Sequence, residues 1–440
     1  MPAVLHSDTI FALSSGRGRA GVAVMRVSGA VAGAAIQALT GAGPAQPRLA
    51  ARRRILTPTG EPIDDGLVLW FPAPASFTGE NVAEFHVHGG RAVVDVLLVA
   101  LGELAGFRPA EAGEFTRRAV ENGKFDLTQA EALADLINAE TEAQRRQALR
   151  QYDGALTSLY EGWRMQLVGA AAWAEATIDF SDEELPAGII LAKAKAQAAD
   201  VIDEIRSHLN DARRGEILRD GFHLTVIGPP NSGKSSLVNA FARRDVAIVS
   251  EAAGTTRDVL EVHLDLGGYP VIVADTAGLH ETSDAVESEG VRRAIVRAEQ
   301  ADAVLLLMDA TTANPAGWPT RFGDKPVLEV WNKADLPHLE RPGLAISVRT
   351  GAGMNELLVR IGLIVKETLA ADSAAPLTRD RHRHTLGQAE QALTRALCAG
   401  APELFAEELR MALRHLGRMT GRVDVEDLLD VIFGDFCIGK

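Results

Sequence analysis

The chain has 440 residues, a net charge of −14 at neutral pH, 47% hydrophobic and 24% charged residues. That length calls for two or three domains, and that composition excludes a largely disordered chain, a collagen-like repeat and a disulfide scaffold. The acidic balance argues against a non-specific coat for nucleic acid, yet residues 1–54 carry seven arginines (Arg17, Arg19, Arg26, Arg48, Arg52, Arg53, Arg54) against one acid, Asp8, a local charge of +6. Charge alone favours a solvated arginine face there, with a local anion or RNA patch as the alternative.

Residues 1 to about 120 predict a small α+β domain. Strands are expected at Thr9–Leu13, Val22–Val27, Arg53–Thr57, Gly66–Phe71 and Val82–His88, where apolar residues alternate between clusters of Gly, Pro and Ser. Helices are expected at Ala30–Leu39 and Arg91–Leu104. From about Thr128 to Arg219 the spacing of Leu127, Ala130, Leu133, Leu136 and Ile137 predicts helix, broken at Ser181–Gly188. At Gly221 the texture changes. His223–Ile227 is a β-run, strands and helices alternate to about Leu369, and helices resume after Ala371–Pro376 to near Ile432. The expected architecture is an N-terminal α+β domain (1–120), an all-α helical domain in two parts (121–220 and 371–440) and an α/β domain (221–370) inserted into it. Two separate helical domains are the alternative.

Cys398 and Cys437 are the cysteines of the chain, with no zinc- or cluster-ligand spacing. The N-terminal segment lacks a basic start followed by a long apolar run, and apolar stretches such as Ala92–Leu101 are short and interrupted by Asp95. No signal peptide, no membrane span and a cytoplasmic location are expected.

Four motifs carry chemistry. Gly228-Pro-Pro-Asn231-Ser232-Gly233-Lys234-Ser235 matches the phosphate-binding pattern G-x-x-x-x-G-K-[ST] between a β-run and the apolar helical stretch Ser236–Phe241. Backbone N–H groups close on phosphates there, Lys234 is expected to reach the β- and γ-phosphates, and Ser235 to hold Mg²⁺. Asp275-Thr276-Ala277-Gly278 follows a second β-run, placing a carboxylate near the Mg²⁺ shell and an N–H near the γ-phosphate. Asn332-Lys333-Ala334-Asp335 follows a third. Asp335 can accept from the guanine N1–H and amine, donors that adenine does not present together, so GTP is expected over ATP. Ser347-Val348-Arg349 would close its backbone over the guanine oxygen. Between the first two motifs, the loop from Ser250 to Asp258 carries Thr255 and Thr256, either of which suits a nucleotide-sensing Mg²⁺ contact.

Hydrolysis needs a group to orient water. The position after D-x-x-G, where some GTPases place Gln, is Leu279, which has no polar atom. The domain then hydrolyses GTP poorly, borrows the group from a partner, or uses another of its own residues. His280, Asp284, Glu287 and Glu289 are nearby candidates, and Arg257 is a candidate for neutralising charge. The Asn231 amide oxygen is a candidate for holding a monovalent cation against the phosphates, which could do electrostatically what an arginine would.

These residues resemble the MnmE (TrmE) family of tRNA-modification GTPases over essentially the full length. The carrying segments are GVAVMRVSG (21–29), SFTGENVAEFHVHGG (76–90), AGEFTRRAVENGKFDLTQAEALADLI (112–137), GPPNSGKSSLVNA (228–240), AGTTRDV (253–259), DTAGLH (275–280), NKAD (332–335) and FCIGK (436–440). The N-terminal segments and the terminal pentapeptide are the more specific ones. The resemblance implies a folate-binding N-terminal domain that forms homodimers, a helical domain, and an inserted GTPase domain. It implies a heterotetramer with the flavoprotein MnmG, which together with this chain adds an aminomethyl or carboxymethylaminomethyl group at C5 of the tRNA wobble uridine. It also implies GTP hydrolysis stimulated by K⁺.

Residue by residue, the resemblance makes Asn231 a potassium ligand, with Ser250, Ala252 and Thr255 completing that shell, the first two through backbone carbonyls. Ser235 and Thr256 become Mg²⁺ ligands, and Glu287 the carboxylate that orients water. Ser232, Gly233, Lys234, Ser236, Thr276, Ala277, Gly278, Asn332, Lys333, Asp335, Ser347, Val348 and Arg349 fall within the nucleotide motifs. Arg26, Glu84, Lys124 and Lys440 match positions that contact 5-formyltetrahydrofolate. Cys437 matches the family's C-terminal cysteine, a candidate catalytic thiol with an inert one as the alternative. The base loop departs slightly, with Ser-Val-Arg in place of Ser-Ala-Lys, which leaves backbone contacts intact. A potassium-type GTPase of ribosome assembly is the main rival, and a septin-like dimerising GTPase the second. Segments 76–90, 112–137 and 436–440 weigh against the first.

Overall fold

The computed structural model of the chain describes residues 8–179, 187–211, 213–248, 261–275, 295–312, 322–337, 343–369, 376–423, 429, 432–433, 436 and 439. The chain packs as two units, Met1–Ala134 with Leu416–Lys440, and Asp135–His415.

The first unit is built on β1 (Thr9–Leu13), β2 (Ala20–Ser28), α1 (Ala32–Thr40), β3 (Ala51–Leu56), β4 (Pro62–Phe71), β5 (Val82–Gly89), α2 (Arg91–Gly102), β6 (Phe107–Pro109) and α3 (Glu114–Glu121). The sheet order is β3-β4-β5-β2-β1-β6, antiparallel throughout except for the β1–β6 pair. Side chains alternate across a strand. One face therefore buries Met25, Val27, Phe85, Val87, Val68 and Ile55 against Ile36 and Leu39 of α1 and Leu97 and Leu101 of α2. The register sets Arg26 opposite Glu84, and Val24 opposite His86, on the other face. Edge strand β3 presents Arg52 and Arg54 to solvent.

The strands and helices expected in this unit all form, with ends shifted by a few residues. β6 and α3 are additional. Helix α3 buries Glu114, Thr116 and Arg118 beside Phe115 and Ala119, so its inward face is largely polar and leaves little apolar periodicity to read. Arg118 is fully buried and pairs with Asp8 at 2.9 Å, Glu80 at 3.2 Å and Glu114 at 2.9 Å. Arg108 adds contacts of 2.6 Å to Asp8 and to Glu114. Burial pushes the Asp8 and Glu114 carboxyls up, but the two guanidiniums outweigh it and hold both below the usual carboxylate range.

The C-terminal residues of this unit are held by two kinds of contact. Phe433 and Phe436 pack with Leu127 and Ala130 of α4 (Leu127–Asn138). Ser14 Oγ donates to the Gly439 carbonyl at 2.8 Å. Gly439 has φ +102°, and a Cβ there would lie 2.2 Å from the Leu13 carbonyl oxygen, so only glycine allows this approach.

The second unit begins with α5 (Glu142–Tyr152), whose first turn is closed by a Thr141–Gln144 capping box. It continues through α6 (Ala155–Asp179), α7 (Ala187–Leu209) and α8 (Arg214–Asp220). An α/β domain follows, with β7 (Phe222–Ile227), α9 (Lys234–Ala242), β8 (Glu261–Leu266), β9 (Tyr269–Asp275), β10 (Ala303–Asp309), β11 (Val327–Asn332), β12 (Leu344–Ala345) and α10 (Met354–Leu369). Helices α11 (Asp380–Cys398) and α12 (Pro402–Thr420) resume after it. The sheet order is β12-β11-β10-β7-β9-β8, parallel except for the β8–β9 pair.

β10 is a continuous apolar run up to Asp309, and β7 is apolar but for His223 and Thr225, as suits a parallel sheet with helices on both faces. Leu224, Val226, Leu305 and Leu307 pack with Leu237 and Phe241 of α9 and Leu357 and Ile361 of α10. Ile227, Val304, Leu306 and Met308 pack on the opposite side with Ala298. Helix α7 packs against both α6 and α11, so helices before and after the α/β domain share one bundle. The chain is thus an N-terminal α+β domain and a helical domain into which a P-loop α/β domain is inserted. Among the described residues no helix is long and apolar enough to cross a membrane.

Candidate functional site

The carboxyl ends of β7, β10 and β11 lie side by side, the edge of a parallel sheet where loops meet ligands. β7 runs into the 228–233 loop, which ends at the N-terminus of α9. Gly228 has φ +150°, and a Cβ on it would fall 2.0 Å from the Leu307 carbonyl oxygen of β10. A side chain there would force the loop off the sheet. Asn231 is exposed and left-handed, φ +59°, a conformation that Asn tolerates better than most residues. Lys234 opens α9 and folds its ammonium back over the loop, donating to the Gly228 and Pro229 carbonyls at 2.9 Å each. Ser235 and Ser236 are exposed in the first turn of that helix.

Two further loops are tied to this one. Asn332 is buried. Its Nδ2 donates to the Ser232 carbonyl at 2.8 Å, and its Oδ1 accepts from the Val348 backbone N–H at 3.1 Å. One side chain therefore fastens the phosphate loop to the 347–349 loop. Ser347 Oγ donates to Asp335 Oδ1 at 2.6 Å, and the Arg349 guanidinium pairs with Oδ2 at 2.6 Å. The Ser347 hydroxyl first, with Arg349 beside it, holds the Asp335 carboxyl below its usual range and so keeps it an acceptor. Lys333, left-handed at φ +67°, donates to Asp309 Oδ2 at 2.5 Å. Burial pushes Asp309 up, but bonds from Lys333 and Thr311 outweigh it and hold that carboxyl low. Asp275 ends β9 in register with Val226 of β7.

The structure thus brings together the described residues of the nucleotide motifs: Asn231, Ser232, Gly233, Lys234, Ser235, Ser236, Asn332, Lys333, Asp335, Ser347, Val348 and Arg349. Asp309 joins them unread from the sequence. Its one signal there is an acid closing the apolar run Ala303–Met308. Ser250, Ala252, Thr255, Thr256, Arg257, Thr276, Ala277, Gly278, Leu279, His280, Asp284, Glu287 and Glu289 lie outside the described residues, as do Cys437 and Lys440. Among the described residues no group of three His, Cys, Asp or Glu side chains is placed to hold a metal ion.

A second cluster lies in the N-terminal unit. Arg26 Nε donates to Glu84 Oε1 at 3.0 Å, and the Arg26 guanidinium lies 5.1 Å from the Phe77 ring centre and 5.8 Å from that of Phe115. This is a partly desolvated ion pair walled by two aromatic rings. Lys124 is not part of the pair. It is exposed and donates to the Pro74 carbonyl at 2.9 Å, on the same 72–79 loop that carries Phe77. Phe77 and the neighbouring Phe125 have ring centres 5.7 Å apart. The sequence reading named Arg26, Glu84 and Lys124 but neither phenylalanine, since isolated aromatics have no pattern of their own.

Comparison with known proteins bears on the family of the chain. Residues 9–124 match the family described as the GTP-binding protein TrmE N-terminus, and residues 127–437 match the MnmE helical domain. The tRNA modification GTPase MnmE of Paramagnetospirillum magneticum is 54% identical, over 99% of this chain and 100% of that protein. Its counterpart in Rhodospirillum rubrum is 53% identical over 98% and 99%, and that of Parvibaculum lavamentivorans 54% over 98% and 100%. Among solved structures, a point variant of Aquifex aeolicus Era bound to GDP.AlF4- is 26% identical over 41% of this chain and 69% of that one, with a TM-score of 0.25, a likeness too slight to add to these. The chain belongs to the MnmE family of tRNA modification GTPases.

Proposed function

We propose that this GTPase uses GTP hydrolysis to drive addition of an aminomethyl or carboxymethylaminomethyl group to C5 of the tRNA wobble uridine. In this reading it works in the cytoplasm as a homodimer, with the flavoprotein MnmG as partner and a tetrahydrofolate such as 5-formyltetrahydrofolate as one-carbon donor. Residues 1–120 form the folate-binding and dimerisation domain, 121–220 and 371–440 the helical domain, and 221–370 the GTPase domain. The observation that carries the reading is the fastening of the 228–234 loop to the 347–349 loop through Asn332, which sets a phosphate cradle and a guanine acceptor on one edge.

The residues at that edge suit the ions the reaction calls for. Asn231 and Ser235 are exposed oxygen donors flanking Lys234 on a loop whose glycine leaves no room for a side chain, and hard cations prefer oxygen ligands. Ser235 and Thr256 would hold Mg²⁺. The Asn231 side chain, with Ser250, Ala252 and Thr255, would hold K⁺. Both ions supply positive charge beside the phosphates when bound. Lys234 exchanges its carbonyl partners for phosphate oxygens, a stronger charge-assisted pairing. Asp335 accepts from guanine, and the 347–349 backbone closes over its oxygen. Thr276, Ala277 and Gly278 line the γ-phosphate side, and Glu287 orients the attacking water. In the N-terminal unit, Lys124 and Lys440 would pair with the folate glutamate tail, while Glu84, paired with Arg26, would accept from its pterin. Cys437 is the candidate thiol of the one-carbon chemistry.

The test is GTP turnover by the full chain in matched KCl and NaCl, with Asn231→Ala and Glu287→Ala alongside. Strong stimulation by KCl, lost in Asn231→Ala, together with turnover lost in Glu287→Ala, is the expected result. Turnover indifferent to the cation would overturn the potassium mechanism while leaving the GTPase fold intact.

A further inference from the structure

The Glu84 carboxylate is held from two sides. Arg26 Nε donates to Oε1 at 3.0 Å, and His86 Nε2 lies 3.3 Å from Oε2. Residues 84 and 86 share one face of β5 because strand side chains alternate, and Arg26 sits directly across on β2. All three are largely shielded, with side-chain exposures of 20% for Arg26, 16% for Glu84 and 28% for His86. His88, on the same face, does not take part. Its ring pairs instead with Asp64 at 2.8 Å, and its side chain is 70% exposed.

We propose that His86 is a positioning residue of the one-carbon-carrier site, its Nε2–H fixing the plane of Glu84 so that this carboxylate can accept two N–H donors from one ligand. This rests on the folate reading of the Arg26–Glu84 pair given above. An ionised carboxylate only accepts, through about four lone-pair sites on its two oxygens. Arg26 occupies one site on Oε1 and His86 one on Oε2, which leaves one on each oxygen. One free site on each oxygen matches in number the adjacent amine and ring N–H of a pterin. With Arg26 alone, the carboxylate is free to turn about its last torsion, which is broad and soft, and its second oxygen has no fixed direction. The Nε2–H donor is present both in the neutral Nε2–H tautomer and in the imidazolium.

The experiment is titration of the full chain with 5-formyltetrahydrofolate by calorimetry, comparing the natural protein with Glu84→Gln, His86→Leu, His86→Gln and His88→Leu. Each variant is first checked for an unchanged melting transition. His86→Leu removes the donor at similar bulk and is expected to weaken binding about tenfold, the usual scale for one hydrogen bond to a charged group. His86→Gln restores an N–H donor and is expected to recover most of that loss, while His88→Leu binds as the natural protein does. If Glu84→Gln weakens binding and His86→Leu does not, the positioning role is overturned and the folate reading stands. Equal losses in His86→Leu and His86→Gln also overturn it, since only packing then matters. If the natural protein does not bind, or if Glu84→Gln binds unchanged, the folate reading fails and takes this inference with it.

Discussion

At the scale of single residues, the joint between the phosphate loop and the 347–349 loop rests on an uncharged side chain, Asn332. Its amide satisfies the Ser232 carbonyl and the Val348 N–H inside a buried joint. Asn332→Ala leaves both groups unpaired and is expected to cost about 3 kcal/mol of stability, since each stranded buried polar group costs roughly 1–3 kcal/mol. GTP affinity falls with it. Asn332→Asp keeps an acceptor for Val348 but turns a carboxylate oxygen toward the Ser232 carbonyl, so it is no milder. Denaturant midpoints and GTP titrations check both, and a stable Asn332→Ala protein with unchanged affinity would contradict the fastening role. Much of this site was legible in the sequence, because the spacing from Gly228 to Ser235 is local and each loop follows an apolar run. The pairing of Lys333 with Asp309 was not, because its partners are distant in sequence and the acid belongs to no motif.

Among elements, legibility followed the kind of core each one builds. β7 is apolar but for His223 and Thr225 and was readable as a strand from its run of residues. Helix α3 buries charges, and β6 is three residues long, so neither leaves a hydrophobic period. The packing of α6, α7 and α11 hides a titratable group in the same way. His208 of α7 lies 5.5 Å from the Trp163 ring and 6.3 Å from that of Tyr160, both on α6. Its Nε2 has no hydrogen-bond partner among the described residues. Burial, reinforced by nearby His382 and Arg383 and opposed by Asp211, pushes its pKa down to about 4 from 6.5. A depressed folded-state value means that the unfolded chain binds the proton first. Stability contributed by neutral His208 is therefore complete above pH 6.5 and is lost as pH falls toward 4, on the order of 3 kcal/mol in total. His208→Leu is expected to flatten the stability profile between those limits. Below them, the loss from Asp8 and Glu114, whose carboxyls are held low, should persist in the variant. An unchanged slope between pH 6.5 and 4 would mean that His208 is already solvated.

For the whole molecule, the two proposed chemistries fall in different packing units. The nucleotide motifs lie within Asp135–His415, whereas Arg26, Glu84 and Lys124 belong to the unit that also contains Leu416–Lys440. The end of the chain is anchored in that first unit by the hydrogen bond from Ser14 Oγ to Gly439 and by Phe433 and Phe436 on α4. Deleting Cys437–Lys440 removes the hydrogen bond, worth about 1 kcal/mol, and leaves both phenylalanines in place. The unit should therefore stay folded. It should lose 5-formyltetrahydrofolate binding and wobble-uridine modification, while GTP affinity stays within about twofold, as expected for a nucleotide site whose described residues make no contact with the deleted segment. Folate and GTP titrations of the truncated chain, together with nucleoside analysis of tRNA treated with it and MnmG beside the natural protein and MnmG, separate the outcomes. Lost GTP binding would show that the chain terminus supports the nucleotide site. Intact modification would remove Cys437 and Lys440 from the chemistry altogether.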